Sequence, residues 1–317
     1  MLERFQFLDG HDHVAIPQEV ENRHCQADAD IFAYECCDLT ESLQSNCDTL
    51  VTYVEQQRIL AGAEHINLHL TMGTKAGRYE AANVKEYQAN RKNRDPRQQE
   101  RVWALRDFMA NMATNLVTPY AWKDREADDG MAQFQLARIK QFGIESSIIM
   151  TKDKDLRMIA GKHIHPETLE VNTASGYGKC ELVDGSSKQV KGWGTSFFWH
   201  QMLMGDTADN IPGLPKLSGE LANKYCPTAK HNPRRKAISC GPVAAFKVLD
   251  GITNDRDAFC RVWECYQGFY TDELLTRWDG TVIPYSAGQA FYEQAYLLWM
   301  QRVPNEDVKE FFKEIFQ

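Results

Sequence analysis

Four short stretches of this sequence set acidic residues close together: Asp28 with Asp30, Glu126 with Asp128 and Asp129, Asp153 with Asp155, and Asp206 with Asp209. The last pair lies in GDTADNIPG, Gly205 to Gly213, where glycines and a proline break regular structure. Carboxylates three apart at a helix end share one face. Two unit charges 4 Å apart repel by roughly 4 kcal/mol at an effective dielectric of about 20. A fold that keeps such pairs therefore neutralises them with a cation or a positive side chain. Oxygen ligands without cysteine or histidine favour Mg²⁺ or Mn²⁺. Structural zinc is not expected, because there is no C-x-x-C and the pairs His11/His13 and His163/His165 have no cysteine pair nearby. Each cluster alone also reads as a charged turn or a helix cap. Four together point to a shared ion site.

Such a site needs elements that bring the clusters to one place. Residues 1–23 read as a polar lead-in. His24 to Cys37 offers a short strand or turn carrying Asp28 and Asp30, with a helix beginning near Ile31. Residues 39–62 have helical spacing of Leu43, Leu50, Val54 and Leu60, closed by Gly62. Ile66 to Leu70, INLHL, alternates like a half-buried strand. Residues 101–116 form an amphipathic helix, followed by a short connection with Pro119 and Trp122. Glu126 to Asp129 opens a helix running to about Phe142, and Gly143 ends it. Ser147 to Met150 is a short buried strand that runs into Asp153 and Asp155. Strand, helix, strand predicts an α/β fold with a mixed, mostly parallel central sheet flanked by helices. In open parallel sheets the working crevice lies beyond the carboxyl ends of the strands, where Asp153 and Asp155 fall. Residues 170–194 read as a hairpin excursion. Thr195 to Met204, TSFFWHQMLM, is an aromatic helix of the core that delivers the chain to Gly205. A small-residue helix opens at Cys240-Gly241-Pro242, and a helix start preceded by glycine suits a phosphate. Residues 257–317 read as largely helical, without chemistry of their own.

The formal charge of −8 speaks against nucleic acid until its distribution is considered. Lys75 to Asp107 holds nine Lys/Arg against five acids, and Leu221 to Leu249 holds six against none. The bland reading of either run is a solvated surface. Basic stretches combined with compact acidic clusters suit a metal-dependent enzyme acting on a polyanion. No run of apolar residues reaches membrane-spanning length, and the opening MLERFQFLDGHDH lacks the apolar core of a secretory signal. Nine cysteines form no paired framework, so reduced thiols and a cytoplasmic setting are expected. Clustered carboxylates beside basic arms fit two-metal phosphodiester hydrolysis.

EADD, TKDKDL, GDTADNIPG and CGPVAAFKVL occur here in the order seen in the flap-endonuclease-like 5′ nucleases. The chain resembles that family from roughly Asp28 to Trp299, and its phage 5′→3′ exonuclease branch most, through ADADIFAYE, YQANRK, FFWHQMLMGD and EQAYLLW. The resemblance implies a PIN-like, metal-dependent 5′-nuclease domain over 24–212, with a basic helical arch at 73–106. It implies a helix-two-turn-helix and C-terminal helical DNA-binding region over 213–317. Asp28, Glu126, Asp128, Asp129, Asp153, Asp155, Asp206 and Asp209 match the family's metal-binding acids, for two or more Mg²⁺ or Mn²⁺ ions. Tyr87 and Arg91 match a motif in which the tyrosine stacks on a base and the arginine contacts phosphate. Lys85, Lys92, Arg94, Gly241 and Lys247 are the implied DNA contacts. The implied activity is 5′→3′ exonuclease with flap or structure-specific endonuclease capacity, in phage DNA replication, recombination or primer removal. Its implied partners are 5′ ends, flaps and nicked or gapped duplex, with RNA–DNA hybrid as a further candidate, and a monomer is the default. The place in the host would be the cytoplasm. Two departures stand out. Leu70-Thr71-Met72-Gly73-Thr74 contains no acid where the family has an Asp, and Met72 replaces that expected carboxylate. Gln88 replaces a lysine, for which Lys85 or Lys92 is a candidate substitute. These departures also fit a weakened or non-cleaving DNA-binding relative. The longer link between Gly213 and Cys240 is basic and suggests extra DNA contact.

Overall fold

The computed structural model describes residues 18–90, 95–183, 189–228 and 234–317. The chain begins β1 (Val20–Asp28), α1 (Ala29–Glu35), α2 (Leu43–Leu60) and β2 (Ala63–Thr71). A short α3 (Arg78–Ala81) and α4 (Pro96–Ala110) lead to β3 (Val117–Trp122), α5 (Ala127–Phe142) and β4 (Ser147–Met150). Then come β5 (Gly161–Ile164), β6 (Val171–Ala174), β7 (Lys179–Leu182), β8 (Val190–Trp193) and α6 (Thr195–Met204). The C-terminal part holds β9 (Lys216–Leu217), α7 (Gly219–Tyr225), β10 (Ile238–Ser239), α8 (Pro242–Val248) and α9 (Asp255–Gln267). It ends with β11 (Glu273–Thr276), β12 (Val282–Tyr285), α10 (Ala287–Leu298) and α11 (Val308–Glu314).

The central sheet has six strands in the order β3-β2-β1-β4-β5-β6, parallel except for the last pair. The mostly parallel α/β sheet expected from the sequence is therefore present. Strand order reverses between β1 and β4, and a crevice opens at the carboxyl ends of strands at such a switch point. Two expectations change. Residues around Pro119 form a strand rather than a connection. β3 is the edge of the sheet, where a residue without an N–H costs no ladder bond on its open side. β2 is buried on both faces, not one. Ile66, Leu68 and Leu70 pack with Cys25, Ala27 and Phe32 under α1, α2 and α4. Asn67 and His69 face the other way and are equally buried.

That second face carries a polar layer crossing four strands. Trp122 Nε1 donates to His69 Nδ1 at 3.1 Å, and His69 Nε2 lies 3.0 Å from Gln26 Oε1. The same oxygen accepts from Asn67 Nδ2 at 3.0 Å, and Gln26 Nε2 donates to Ser147 Oγ at 3.1 Å. With Nδ1 accepting, the imidazole is neutral and carries its proton on Nε2. Burial pushes His69 down from 6.5 to about 3, and His163 and His200 down to about 4. A depressed imidazole contributes stability above the unfolded value, lost as pH falls from about 6.5 toward the folded value. Denaturation midpoints should therefore fall between pH 6.5 and 4, and His69→Gln should flatten that decline relative to wild type. An equally steep decline in the variant would assign the loss elsewhere.

The link after Gly213 is a closed excursion. Lys216 and Leu217 pair antiparallel with Ser239 and Ile238, and Cys240 N donates to Pro215 O at 3.3 Å. Arg235, within the basic run, caps the end of α7 by donating to Ala222 O and Cys226 O, both at 2.7 Å. It is a structural contact rather than a free DNA-facing cation. A continuous core joins α5, α6, α8, α9, α10 and α11 around Trp199, Phe198, Tyr266 and Phe311. No helix among the described residues is long and apolar enough to cross a membrane. All nine cysteines are free thiols.

Candidate metal centre

The acids arrive at one crevice from four elements. Asp28 is the last residue of β1 and caps α1, accepting from Ile31 N at 3.4 Å. Glu126, Asp128 and Asp129 open α5, where negative charge meets the positive end of the helix dipole. Asp153 and Asp155 follow β4 in a turn held by a relay. Thr151 Oγ1 donates to Asp28 Oδ2 at 3.1 Å, Asp153 N to Thr151 Oγ1 at 2.9 Å, and Asp155 N to Asp153 Oδ1 at 2.8 Å. Asp206 and Asp209 come from the loop after α6. There Asp206 and Ile211 exchange backbone hydrogen bonds at 2.8 and 2.7 Å. Gly205 (φ +75°) and Gly213 (φ +62°) pack back to back across that ring. A Cβ on Gly213 would fall 2.2 Å from Gly205 N, so no side chain fits.

Carboxylate oxygens of Asp155, Asp206 and Asp209 lie within 4.8 Å of one another. Asp153 interacts electrostatically both with members of this triad and with Asp28 and Asp128. Burial, then Asp30 and Asp153, push Asp28 up to about 7. Burial, then Asp153 and Asp28, push Asp128 well above the usual carboxylate range. Burial also raises Asp153, against the Asp155 N–H and Lys154 that pull it down, and burial followed by Asp153 raises Asp155. Burial would raise Asp206 too, but Lys154 together with hydrogen bonds from Asp155 and Ala208 N holds it below the usual range. Lys154 Nζ lies 2.9 Å from both Asp155 Oδ1 and Asp206 Oδ2. Glu126 is likewise held below its ordinary value against burial, by Arg78 and then Lys75, each 2.9 Å from one of its oxygens.

This donor set fits hard divalent cations: it is carboxylate throughout, clustered, and short of positive charge. Mg²⁺ or Mn²⁺ should raise the melting temperature, by an amount equivalent to about 2.7 kcal/mol at a hundredfold excess over Kd. Asp155→Asn combined with Asp206→Asn should remove most of that shift, measured by scanning calorimetry. A full shift in the double variant would place the ion elsewhere.

No protein-family model matches the chain, and no curated protein matches it in sequence. Solved structures do match. One is the bacteriophage T5 D15 flap endonuclease, as a variant in a pseudo-enzyme–product complex with DNA and metal ions. It aligns with a TM-score of 0.53 and 12% identity over 93% of this chain and 98% of that one. Another is the T5 5′-exonuclease with zinc ions bound, with a TM-score of 0.52, 13% identity and the same coverage. The chain has a 5′-nuclease fold.

Within this 5′-nuclease fold the acids suggested by the sequence have unequal surroundings. Seven gather around the crevice. Asp129 is fully buried and its oxygens are taken by protein donors: Arg78 Nη1 and Nη2 at 2.9 Å each, Gln301 N at 2.9 Å and Glu126 N at 3.2 Å. Its carboxylate holds the α5 start in place instead of facing an ion. Asp30 does not share the face of Asp28. It sits in the first turn of α1, pairs with Arg106 at 2.6 Å and accepts from Thr71 N. Tyr87 is 3% exposed, with its hydroxyl 3.1 Å from both Glu126 Oε2 and Asp209 Oδ2. A ring so enclosed bridges two acids and does not offer a face for base stacking. Lys85 and Lys247 are exposed, and Gly241 caps α8 with open space around its Cα. Arg91, Lys92 and Arg94 lie outside the described residues, so of the predicted arch only its flanks, with α3 and α4, are described.

At the two departures the local chemistry differs in kind. Met72 packs against the core under α4, while Thr71 Oγ1 accepts from Ala127 N at 2.9 Å. The end of β2 is thus tied to the α5 start by a neutral hydroxyl. Gln88 is buried, has a left-handed backbone (φ +54°) and donates its N–H to Asp209 O at 2.9 Å.

Sequence reading missed Arg78, which counted only as one of many basic residues. It read 257–317 as largely helical, with EQAYLLW within it, but without chemistry of its own, and so missed that polar groups of α10 and its C-terminal end hold the site from behind. Gln294 Oε1 accepts from Gly213 N at 2.9 Å, Tyr296 Oη donates to Ala76 O at 2.8 Å, and Trp299 O accepts from Arg78 Nη2 at 2.7 Å. A glutamate and a glutamine inside an aromatic, apolar helix were the available signal.

Proposed function

We propose that this protein is a divalent-metal-dependent 5′ nuclease, a 5′→3′ exodeoxyribonuclease with flap endonuclease capacity. The observation that carries the reading is the Asp155, Asp206 and Asp209 carboxylate cluster, with Asp28, Asp128 and Asp153 interacting electrostatically with one another beside it, in the fold shared with the T5 5′-exonuclease. Mg²⁺ or Mn²⁺ bound there would supply Lewis acidity and neutralise charge on the phosphate under attack. Asp28, Glu126, Asp128 and Asp153 would hold one ion. Asp155, Asp206 and Asp209 would hold the other, with Lys154 giving up part of its pairing. Tyr87 bridges Glu126 and Asp209, and Arg78 with Lys75 keeps Glu126 ionised. Residues 24–212 would be the cutting body. Residues 213–317, with Gly241 and Lys247 at α8, would grip duplex backbone independently of sequence, so binding should be strongly salt-dependent. Phage DNA replication, recombination or primer removal is the setting in which such an activity would serve.

The test is a 5′-labelled flapped duplex incubated with purified protein and Mg²⁺ or Mn²⁺. Release of short labelled products that EDTA abolishes is the expected result. A substrate bound but intact under enzyme excess would instead favour the weakened or non-cleaving reading that Met72 and Gln88 motivate.

A further inference from the structure

The segment Ala82–Gln88 brings Tyr87 to the crevice as irregular chain between α3 and residue 90. Its first residues are held by one buried side chain from α10. Glu293, 3% exposed, accepts from Asn83 N at 2.9 Å, Asn83 Nδ2 at 2.8 Å, Val84 N at 3.1 Å and Tyr285 Oη at 2.8 Å. A carboxylate at that depth is tolerated only when donors surround it, so its position and theirs fix each other. The loop of the β11–β12 hairpin closes on the same place. Trp278 Nε1 donates to Ala82 O at 2.9 Å, and Trp278 N donates to Asn83 O at 3.1 Å. Further along, Gln88 N and Asn90 Nδ2 rest on the carbonyls of the Asp206–Asp209 loop. The segment is therefore clamped at its start by the C-terminal region and at its end by the acidic loop, with Tyr87 between.

We propose that Glu293, with Trp278 beside it, is a positioning residue that clamps Ala82–Gln88 and sets where Tyr87 stands between Glu126 and Asp209. The consequence for cleavage rests on the nuclease reading; the clamp itself does not. The duplex contacts proposed at α8 lie on other elements, and of the implied DNA contacts only Lys85 lies in the segment, so loosening the clamp slows turnover more than it weakens the grip on DNA.

Hydrogen exchange on the full-length protein reads the clamp directly. In Glu293→Ala, amides of residues 83–88 should exchange about tenfold faster or more, the order expected for losing hydrogen bonds to a charged group, with amides of β1 and β2 unchanged. Glu293→Gln keeps an acceptor for Asn83 N and Val84 N and should restore protection to within about threefold. Trp278→Phe, which removes the indole N–H bond to Ala82 O together with part of the ring, should loosen the same amides to a smaller degree and serves if Glu293→Ala does not fold. On a flap substrate, Glu293→Ala should lower kcat about tenfold with KM changed less than about twofold. Unchanged exchange at 83–88, or an equal rise across the sheet, would overturn the proposal. If the wild type does not cleave, the nuclease reading fails while the exchange result still decides the clamp.

Discussion

Asp153→Ala should reduce cleavage of a flapped duplex by at least about 10³-fold, the equivalent of some 4 kcal/mol of lost transition-state stabilisation. Asp153 is the acid whose neighbours include both carboxylate groups: Asp28 and Asp128 on one side, Asp155, Asp206 and Asp209 on the other. Under the proposed function Asp153 would help hold the first ion and also interacts electrostatically with the acids that would hold the second, so its loss would not be absorbed by the rest of the site. Gel-shift affinity for the same duplex should change less than about threefold, because the implied DNA contacts lie on other elements. The variant should also be as stable as wild type, or more so, without divalent ions, since one of several crowded like charges is gone. A stable variant that still cleaves at more than a tenth of the wild-type rate would remove Asp153 from the centre of the site.

Arg78→Met should be the most destabilising single change, by about 3–5 kcal/mol in denaturant titration, the usual cost of stripping the partner from a buried charge. Its guanidinium is 5% exposed and meets Asp129 in a two-pronged pair, Glu126 through Nη1, and the carbonyl of Trp299. Those contacts join the start of the basic region, the start of α5 and the chain leaving α10. Removing the cation leaves Asp129 buried and Glu126 without its stronger neighbour. Arg78→Met with Asp129→Asn should lose less than the sum of the two single changes, by 1 kcal/mol or more on the scale typical of directly paired groups. Additive losses would show that the pair is not a coupled unit.

The acidic site was legible in the sequence because its parts are local. Asp206 and Asp209, Asp153 and Asp155, and Glu126 and Asp128 each arise within four residues, next to glycines or helix starts that announce themselves. The alternation of strand and helix likewise follows from periodicity, as does the stop at Gly143, whose φ of +86° suits glycine. The polar face of the sheet was not legible. Asn67 and His69 alternate with Ile66, Leu68 and Leu70 as solvent-facing residues would, and only polar partners on the neighbouring strands together with α5 packed over that face, where Phe134 meets His69, make them interior. Asp129 illustrates the same limit at shorter range. It sits beside Asp128 in sequence, yet the helix turns it by about 100° into the grip of Arg78.

For Gly205 to Gly213 the division is clear. The sequence by itself determined that two acids stand three apart in a glycine-bounded turn, because spacing and backbone freedom are properties of the local chain. Tertiary structure decided what surrounds them: Lys154 and Asp155 from beyond β4, Tyr87 and Gln88 from the basic side, Gln294 from α10. Those partners are brought together by sheet order and core packing, and burial among them turns paired aspartates into a site that calls for a cation.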